Sequence, residues 1–203
     1  MDFIRSYNPV PETQPGSIEM AAELINQSVK PLMLVGQGVE LAGARQELLA
    51  LCEKAQIPFG QTMLGLSAAP TGHPLNMGML GMHGNLAPNV MTNQCDLLIA
   101  VGMRFDDRVT GALHTYAKQA KVIHIDIDHA EINKNVVVDV PIVGDCKEVL
   151  RILTDLVDSA CHKEWIESFA HYNGIEHEKV TSKALNPGEG PILMGEVARK
   201  VTR

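Results

Sequence analysis

The stretch D-L-L-I-A-V-G-M-R-F-D-D-R-V-T-G, residues 96–111, is the clearest indication of the fold class, because an apolar run leads directly into a glycine and four charges. The run Leu97–Val101 shows no alternation of apolar and polar residues, which is typical of a strand buried on both faces of a parallel sheet. Ligands of open α/β sheets gather beyond the carboxyl ends of the strands. The charged turn after this strand is therefore a candidate ligand site, with a solvated surface loop as the alternative.

Similar apolar runs and helical patterns alternate along the chain on both sides of this stretch. The other predicted strands cover residues 31–36, 57–62, 121–126 and 140–144. The predicted helices cover residues 17–29, 41–55, 85–94 and 146–158. Right-handed crossovers between such strands predict an α/β fold: a doubly wound, Rossmann-like parallel sheet of about six strands with helices on both faces. Pro141 has no amide proton, which predicts that the last strand is not paired on both sides at its start.

Two segments lie outside this pattern. Residues 63–85 are rich in Gly, Pro and Met and predict a long irregular loop, of a kind that is usually functional or disordered. After residue 160 the sequence predicts a polar helix around Trp165, a loop from Asn186, and a last helix Ile192–Val201 with Pro191 in its first turn. The expected organisation is a linker over residues 1–16, one binding domain over 17–160, and a connector over 161–203.

Composition excludes several classes of protein. The 203 residues are 45% hydrophobic and 20% charged, with a formal net charge of −7. This acidic balance disfavours nonspecific nucleic-acid binding and binding to anionic membranes, which both need a basic surface. The sequence contains no apolar run long enough to span a membrane and no signal-peptide pattern, so a cytoplasmic protein is expected. Its four cysteines form no C-x-x-C pair, which favours reduced, mostly buried thiols over disulfides or a zinc site.

Two glycine-rich segments are candidates for close contact with a ligand. Gly36-Gln37-Gly38 could lie against a phosphate or a flat ring. Leu41, however, stands where the dinucleotide fingerprint G-x-G-x-x-G has its third glycine, and a plain tight turn fits equally well. The segment G-M-L-G-M-H-G at residues 78–84 has glycine at every third position and two methionines that offer adaptable apolar contact. Its His83 is either a hydrogen-bond donor or simply exposed.

Charged residues at the other strand ends suggest a nucleotide-type ligand. Arg104 and Arg108 can bind a phosphate or a carboxylate through two parallel hydrogen bonds, unless they form surface ion pairs with Asp106 and Asp107. Asp126 ends a strand, where nucleotide-binding domains bind ribose hydroxyls.

A metal site and covalent catalysis are less favoured. His124, Asp126 and Asp128 would face one way in a strand and could suggest a metal, but buried parallel strands rarely hold one. Gly144-Asp145-Cys146 follows the last strand and completes the set of strand ends. No nucleophile–base motif stands out. The residues therefore favour binding over catalysis.

Five segments of the chain match a known family. They are R-S-Y-N-P at residues 5–9, K-P-L-M-L-V-G-Q-G at 30–38, G-M-L-G-M-H-G at 78–84, G-M-R-F-D-D-R-V-T-G at 102–111 and H-I-D-I-D-x-A-E-I-N-K at 124–134. Through these segments the chain resembles the central domain of the catalytic subunits of acetohydroxyacid synthase, also called acetolactate synthase, in the thiamine-diphosphate enzyme family. The resemblance extends over nearly the whole chain.

The resemblance implies that this domain holds FAD in an extended pose. The implied contacts of the FAD diphosphate and ribityl region are Gly36, Gln37 and Gly38. Those near the flavin are Thr62, Met63 and Leu64, and those lining its pocket are Leu80, Gly81, Met82 and His83. Further implied contacts are Gly102, Met103, Arg104, Asp106, Arg108 and Val109. Those at the adenosine end are Asp126, Ile127, Glu131, Asp145 and Cys146.

The resemblance also implies what the whole enzyme does. Such enzymes condense pyruvate with pyruvate or 2-ketobutyrate in branched-chain amino acid biosynthesis, and Arg108 matches the arginine that holds the carboxylate of the second 2-ketoacid. Met82 and Asp107 match positions near substrate access. Thiamine diphosphate and Mg²⁺ bind in the other domains, so no catalytic residue and no metal ligand is expected here. The parent enzyme is expected to be a homo-oligomer with a possible regulatory subunit.

Residues 1–16 and 161–203 then correspond to links toward a pyrimidine-binding and a diphosphate-binding domain. A chain without those domains is expected to be inactive by itself. Some relatives have an arginine that touches FAD near residues 10–16, whereas this chain has none there. Two alternatives remain open: a stand-alone NAD-dependent enzyme on the same sheet, and a structural domain of this fold that binds no nucleotide.

Overall fold

The computed structural model describes residues 13–186 and 190–201. Its strands are β1 (Pro31–Val35), β2 (Phe59–Gln61), β3 (Asn76–Met79), β4 (Leu97–Val101), β5 (Lys121–Asp126) and β6 (Val140–Val143). Its helices are α1 (Ser17–Gln27), α2 (Gln37–Leu41), α3 (Arg45–Ala55), α4 (Leu86–Thr92), α5 (Asp107–Thr110), α6 (Cys146–Leu156), α7 (Lys163–Glu176), α8 (Ser182–Leu185) and α9 (Met194–Val201). Short 3₁₀ turns lie at Met63–Gly65 and His129–Glu131, and a π-helical turn lies at His177–Thr181.

The six strands form one parallel sheet in the order β3-β2-β1-β4-β5-β6. The chain therefore builds outward from β1 on one side and then returns to build outward from β4 on the other. This is the strand order of doubly wound domains that bind dinucleotides where the order reverses. The predicted fold class, a doubly wound parallel sheet of about six strands, is confirmed.

Both faces of the sheet are covered, which explains why the central strands show no alternation. In β1, Met33 and Val35 belong to the core on the face covered by α1, α3 and α6. Leu32 and Leu34 belong to the core on the opposite face, which α4 and α7 cover. Because successive side chains point to opposite faces, every position of such a strand must be apolar.

The predicted irregular loop over residues 63–85 is wrong in one part, because it contains β3. This strand reads N-M-G-M, has no β-branched residue and lies at the edge of the sheet with a partly exposed face. Its pairing with β2 shifts register between Phe59 and Gln61. A short edge strand needs few buried side chains, so it leaves little trace in the pattern of apolar residues.

The helix predicted over residues 41–55 is present but begins four residues later, as α3, because a separate short helix, α2, ends at Leu41. Gly43 lies between them with φ +61°, a conformation that ends the first helix. Leu41 is 77% exposed at the end of α2 and takes no part in the core. The prediction for Pro141 is confirmed, since β6 pairs only with β5 at the edge of the sheet.

The segment after residue 160 packs on the core more than its polar sequence suggested. Trp165 and Phe169 of α7 are buried in the core under α4, and the Trp165 indole donates to the backbone oxygen of Pro31 at 2.7 Å. The last helix begins at Met194 rather than at Ile192, and Pro191 precedes it instead of lying in its first turn.

Some predictions lie outside the described residues. They are the R-S-Y-N-P segment, most of the 1–16 linker, and residues 187–189 of the predicted loop. The division of the chain at residues 16 and 160 stays a prediction. Within the described ranges, no helix combines the length and apolar character that a membrane crossing requires.

Candidate functional site

The turns after β1 and β4 meet backbone to backbone where the strand order reverses. The amide of Gly36 donates to the carbonyl oxygen of Val101, and that of Gly38 donates to the carbonyl oxygen of Gly102, both at 2.9 Å. A Cβ on Gly38 would lie 2.6 Å from the Cα of Gly102, and Gly102 itself has φ +56°. These glycines are therefore needed for the close approach of the two turns, since a Cβ at either position would collide with the backbone of the other turn.

The turn after β2 lies directly above the end of β1. The amide of Thr62 donates to the carbonyl oxygen of Val35 at 2.9 Å. A Cβ on Gly65 would come 2.3 Å from that same oxygen, so the Met63–Gly65 turn follows the strand closely. Met63 and Leu64 point outward and are more than half exposed. The turn thus presents apolar side chains beside the glycine turns.

The segment Met79–Gly84, which we call the cavity loop, turns back across the carboxyl edge of the sheet. Gly81 has φ +100°, and a Cβ there would lie 2.8 Å from the carbonyl oxygen of Arg108. That oxygen accepts a hydrogen bond from the amide of Met82 at 2.7 Å. The loop and the charged turn after β4 therefore lie against each other, although more than twenty residues separate them in the sequence.

A cavity of about 350 Å³ opens between these segments. Its walls are formed by Met63, Met79, Leu80, Met82, His83, Arg108 and Val109. The volume lies at the lower end of the range for small-molecule sites, roughly 300–1,000 Å³. The walls are mostly apolar and flexible, which suits a flat ring system. The Arg108 guanidinium is the charged group among them, and its Nη1 lies 3.7 Å from the Met82 sulfur.

Asp106 organises the charged turn. Its carboxylate caps α5 by accepting from the amide of Arg108 at 3.1 Å and also accepts from Nε of Arg104 at 3.1 Å. The Arg104 side chain is 67% exposed, so most of its donors face solvent. The ion pair is therefore a surface contact of little energetic weight, about 0–1 kcal/mol, and it leaves Arg104 available to an anion.

The predicted adenosine end lies beside the glycine turns. The Cys146 thiol is 3.6 Å from the carbonyl oxygen of Gly38, and burial, followed by the charge of Asp145, raises the pKa of that thiol to about 12. Asp145 caps α6 by accepting from the amide of Lys147 at 2.8 Å. Burial raises the pKa of Asp126 above its usual value. Two carboxylates thus border this end of the edge.

His124 is fully buried beneath the turn that follows β4 and contacts the backbone of that turn. Its Nε2 pairs with the carbonyl oxygen of Met103 at 2.8 Å, which in the neutral ring makes Nε2 the donor. Burial lowers the pKa of His124, so the ring is neutral near pH 7. It packs edge-on against Phe105. Across the described part of the chain, no group of three or more His, Cys, Asp or Glu side chains is arranged to hold a metal ion.

The predicted contacts fall into three groups. Those that line the cavity are Met63, Leu80, Met82, His83, Arg108 and Val109. Those in the turns and caps around it, or supporting it through backbone contacts, are Gly36, Gln37, Gly38, Thr62, Gly81, Gly102, Met103, Arg104, Asp106, Asp126, Asp145 and Cys146. Three predicted contacts do not line the cavity: Leu64 and Ile127 are exposed, and Glu131 is partly buried in the 3₁₀ turn after β5.

Sequence reasoning missed several residues of this region. The side-chain amides of Asn85 and Asn89 hold the cavity loop through hydrogen bonds of 2.9–3.0 Å, whereas Met79, one of the two methionines singled out in the sequence, lines the cavity. The two asparagines lie four residues apart at the start of a predicted helix that follows the glycine-rich segment. That spacing was the available signal, since it places both side chains on one face of the helix.

Residues 18–153 match the family described as the central domain of thiamine pyrophosphate enzymes. The chain is also similar to the probable acetolactate synthase large subunit of Methanocaldococcus jannaschii, at 52% identity over 147 residues that cover 72% of this chain and 25% of that protein. It is 46% identical to the acetolactate synthase large subunit of Corynebacterium glutamicum over 167 residues, which cover 82% of this chain and 27% of that protein.

A third relative, from Buchnera aphidicola subsp. Schizaphis graminum, is also an acetolactate synthase large subunit. It is 36% identical over 185 residues, which cover 89% of this chain and 32% of that protein. The chain thus spans about a quarter to a third of the length of these relatives. The match extends over two thirds of the chain, from α1 to α6, and includes every strand of the sheet. The chain belongs to the family of thiamine pyrophosphate enzyme central domains.

Proposed function

We propose that this chain is the FAD-binding central domain of an acetolactate synthase large subunit. Such an enzyme joins two 2-ketoacids with the help of thiamine diphosphate and Mg²⁺. The observation that carries the proposal is the direct contact of the glycine turns of β1 and β4 near an apolar cavity that Arg108 lines. The names of the relatives, all acetolactate synthase large subunits, support the choice of reaction.

The residues at the carboxyl edge fit the chemistry of FAD. The methionine-lined cavity suits the flat flavin ring, while the exposed guanidinium of Arg104 suits a diphosphate. Asp126 ends β5, and its carboxylate would accept from a ribose hydroxyl placed at that strand end. A cavity of about 350 Å³ admits only part of so long a molecule. The remainder would extend along the turn formed by Gly36, Gln37 and Gly38 at the carboxyl end of β1.

The role of FAD in this proposal is to shape the site. FAD supplies redox chemistry when bound to a protein, but joining two ketoacids involves no net redox change. The residues of this chain would then hold the flavin against the reacting centre and present Arg108 to the carboxylate of the second ketoacid. The catalytic groups and the diphosphate-bound Mg²⁺ would belong to other domains of the full-length enzyme. A cytoplasmic, homo-oligomeric parent with a possible regulatory subunit is part of the proposal.

Ligand titration tests the proposal directly. FAD and NAD should be titrated separately into the purified chain by calorimetry, and we expect FAD to bind and NAD not to bind. Arg104→Ala should weaken FAD binding by about tenfold, the effect of losing a hydrogen bond to a charged group. Arg151→Ala is the matched control, because Arg151 is an exposed arginine on α6 that pairs with Glu148 and Asp155 on the same helix. It should bind FAD like the wild type.

The alternatives make different predictions in the same titration. Binding of NAD alone would support a stand-alone NAD-dependent enzyme. Binding of neither nucleotide would support a structural domain of this fold.

A second assay tests catalysis: the chain, incubated with pyruvate, thiamine diphosphate, Mg²⁺ and FAD, should form no acetolactate. Acetolactate formation by this chain would contradict the assignment of the catalytic groups to other domains.

A further inference from the structure

The cavity loop is held by a chain of hydrogen bonds that begins outside the family-matched residues. Asn85 stands at the N-cap of α4, where asparagine commonly caps its own helix, yet its side chain makes no such bond. Its Oδ1 instead accepts from the amide of Met79 at 2.9 Å, in the cavity loop. A Cβ on Gly78 would lie 2.5 Å from this Oδ1, so the carboxamide is tightly placed.

Glu176, at the end of α7, takes over the capping of α4. One carboxylate oxygen accepts from the amide of Leu86 at 2.9 Å, and the other accepts from Nδ2 of Asn85 at 3.1 Å. A negative charge at a helix N-terminus is favourable, and a bond to Nδ2 also fixes which way the carboxamide points. With Nδ2 bound to Glu176, Oδ1 of Asn85 is directed at Met79.

The position of Glu176 is itself well defined. It continues the face of α7 on which Trp165 and Phe169 are buried and Tyr172 accepts from the side chain of Gln94 at 3.1 Å. These residues are spaced four, three and four apart, which places them on one side of a helix. The carboxylate is thus held over α4 by a packed face and not by an isolated surface contact.

Asn89 fixes the next part of the loop from the same helix. Its side chain accepts from the amide of Gly81 and donates to the carbonyl oxygen of Gly81, at 2.9 and 3.0 Å, and it also donates to the carbonyl oxygen of Asn85. Because Gly81 has a positive φ, this loop conformation has no support of its own from helix or strand geometry. The cavity loop therefore depends on the N-terminus of α4, and that terminus depends on Glu176.

We propose that Glu176 is a positioning residue for the ligand cavity, acting through Asn85 on the loop that presents Leu80, Met82 and His83. The contact joins a helix beyond residues 18–153 to the cavity wall, so the segment after the family-matched region would determine the shape of the site. The part of this inference that concerns FAD rests on the proposed function. The part that concerns the loop does not.

Amide hydrogen exchange followed by mass spectrometry tests the loop directly. In Glu176→Ala, exchange across residues 79–86 should become roughly tenfold or more faster, because two hydrogen bonds to a carboxylate are lost. Exchange in β4 should stay unchanged. Glu167→Ala is the matched control, since Glu167 lies on the exposed side of the same helix and faces only Lys163. It should leave the exchange of residues 79–86 as in the wild type.

A reciprocal exchange of donor and acceptor separates positioning from simple packing. Glu176→Gln alone leaves one side-chain oxygen for two donors, the amide of Leu86 and Nδ2 of Asn85, so one of these hydrogen bonds is lost and exchange in the loop should become faster. Adding Asn85→Asp reverses the direction of the hydrogen bond between the two side chains while it keeps an acceptor for Met79, and should restore slow exchange. A role in packing alone predicts no such rescue, and absence of rescue would overturn the proposal.

The remaining outcomes of these experiments either support or overturn the positioning role of Glu176. Unchanged exchange in Glu176→Ala, or equally faster exchange in β4 and the loop, would overturn the positioning role whether or not FAD binds. If FAD binds the wild type, its affinity should fall several-fold in Glu176→Ala, its visible absorption band should change shape, and the double variant should recover both. Failure of the wild type to bind FAD would count against the proposed function alone, because the exchange measurements need no ligand.

Discussion

Gly38 and Gly102 touch through their backbones, with the Cα of each less than 3 Å from where a Cβ on the other would lie. The amide nitrogen of Gly38 is 2.9 Å from the carbonyl oxygen of Gly102, while the amide of Gly102 donates to Ile125 at 2.8 Å. This contact joins the two central strands at the point where the strand order reverses. No side chain larger than that of glycine fits at either position of this contact.

Gly102→Ala should destabilise the chain strongly. The new Cβ would lie 2.7 Å from the Cα of Gly38, at a residue with φ +56°, so backbone strain and overpacking add together. We expect a loss of about 2–4 kcal/mol in the free energy of unfolding, measured by urea denaturation. Gly174→Ala in α7 is the control, because a Cβ there meets open space. It should stabilise by about 0.5–1 kcal/mol, and a comparable loss in both variants would contradict this account.

Arg108→Ala should separate ligand binding from stability. The backbone oxygen of Arg108 holds the amide of Met82, and the substitution leaves it in place, whereas the side chain reaches only the Met82 sulfur among nearby polar partners. Urea denaturation of the chain should therefore change by no more than about 0.5 kcal/mol. In a full-length enzyme carrying this domain, acetolactate formation should fall by about tenfold or more. Equal losses of stability and activity would mean that the residue is structural.

His124 should make stability depend on pH below neutrality. Burial lowers its pKa in the folded chain below the usual value of about 6.5, so the unfolded chain binds the proton more readily. Stability is therefore fully present above pH 6.5 and falls as the pH drops toward the folded pKa. His162, whose pKa burial also lowers, adds to this trend.

The comparison with His124→Gln isolates the contribution of this ring. The glutamine amide can still donate to the carbonyl oxygen of Met103 but does not titrate. Urea denaturation between pH 8 and pH 5.5 should show a shallower loss of stability in this variant than in the wild type. His171→Gln, at an exposed position, is the control and should keep the wild-type slope. A slope unchanged by His124→Gln would show that this ring does not determine the pH dependence.

Thiol labelling should distinguish the cysteines by burial. Cys52, Cys95 and Cys146 are buried while Cys161 is exposed, and burial raises the pKa of both Cys95 and Cys146 to about 12. Because the thiolate is the reactive form, a disulfide reagent near pH 7.5 should label one thiol quickly in the native chain and four after unfolding. Cys161→Ser should remove the fast reaction. Two or more fast thiols in the native wild type would contradict this burial.

Most strands and helices can be predicted from local sequence patterns, and the elements that were not predicted have identifiable physical causes. Leu97–Val101 is fully buried, as an apolar run without alternation predicts, and the strand order then places its glycine turn against that of β1. Asn76–Met79 was missed because an edge strand buries too little to need a periodic pattern. The burial of Trp165 and Phe169 was missed because the rest of α7 is polar and only the facing surface of α4 determines which side is covered.

The candidate site divides in the same way. Its glycines and arginines were found from the sequence because steric exclusion and charge are properties of single residues at the end of a strand. The supports of the cavity loop were not found, since the bond between Asn85 and Glu176 spans 91 positions and has no local signal.

The class of fold, the glycines at the strand ends and the acidic, aliphatic character of the chain can be read from the amino acids alone, because short-range sterics and hydrophobic burial act on neighbouring residues. That Met63, Met82 and Arg108 share one cavity, and that a carboxylate from α7 caps α4, follows from the three-dimensional arrangement. Such contacts depend on how the crossover connections bring distant segments together, and no local pattern in the sequence identifies which side chains will meet.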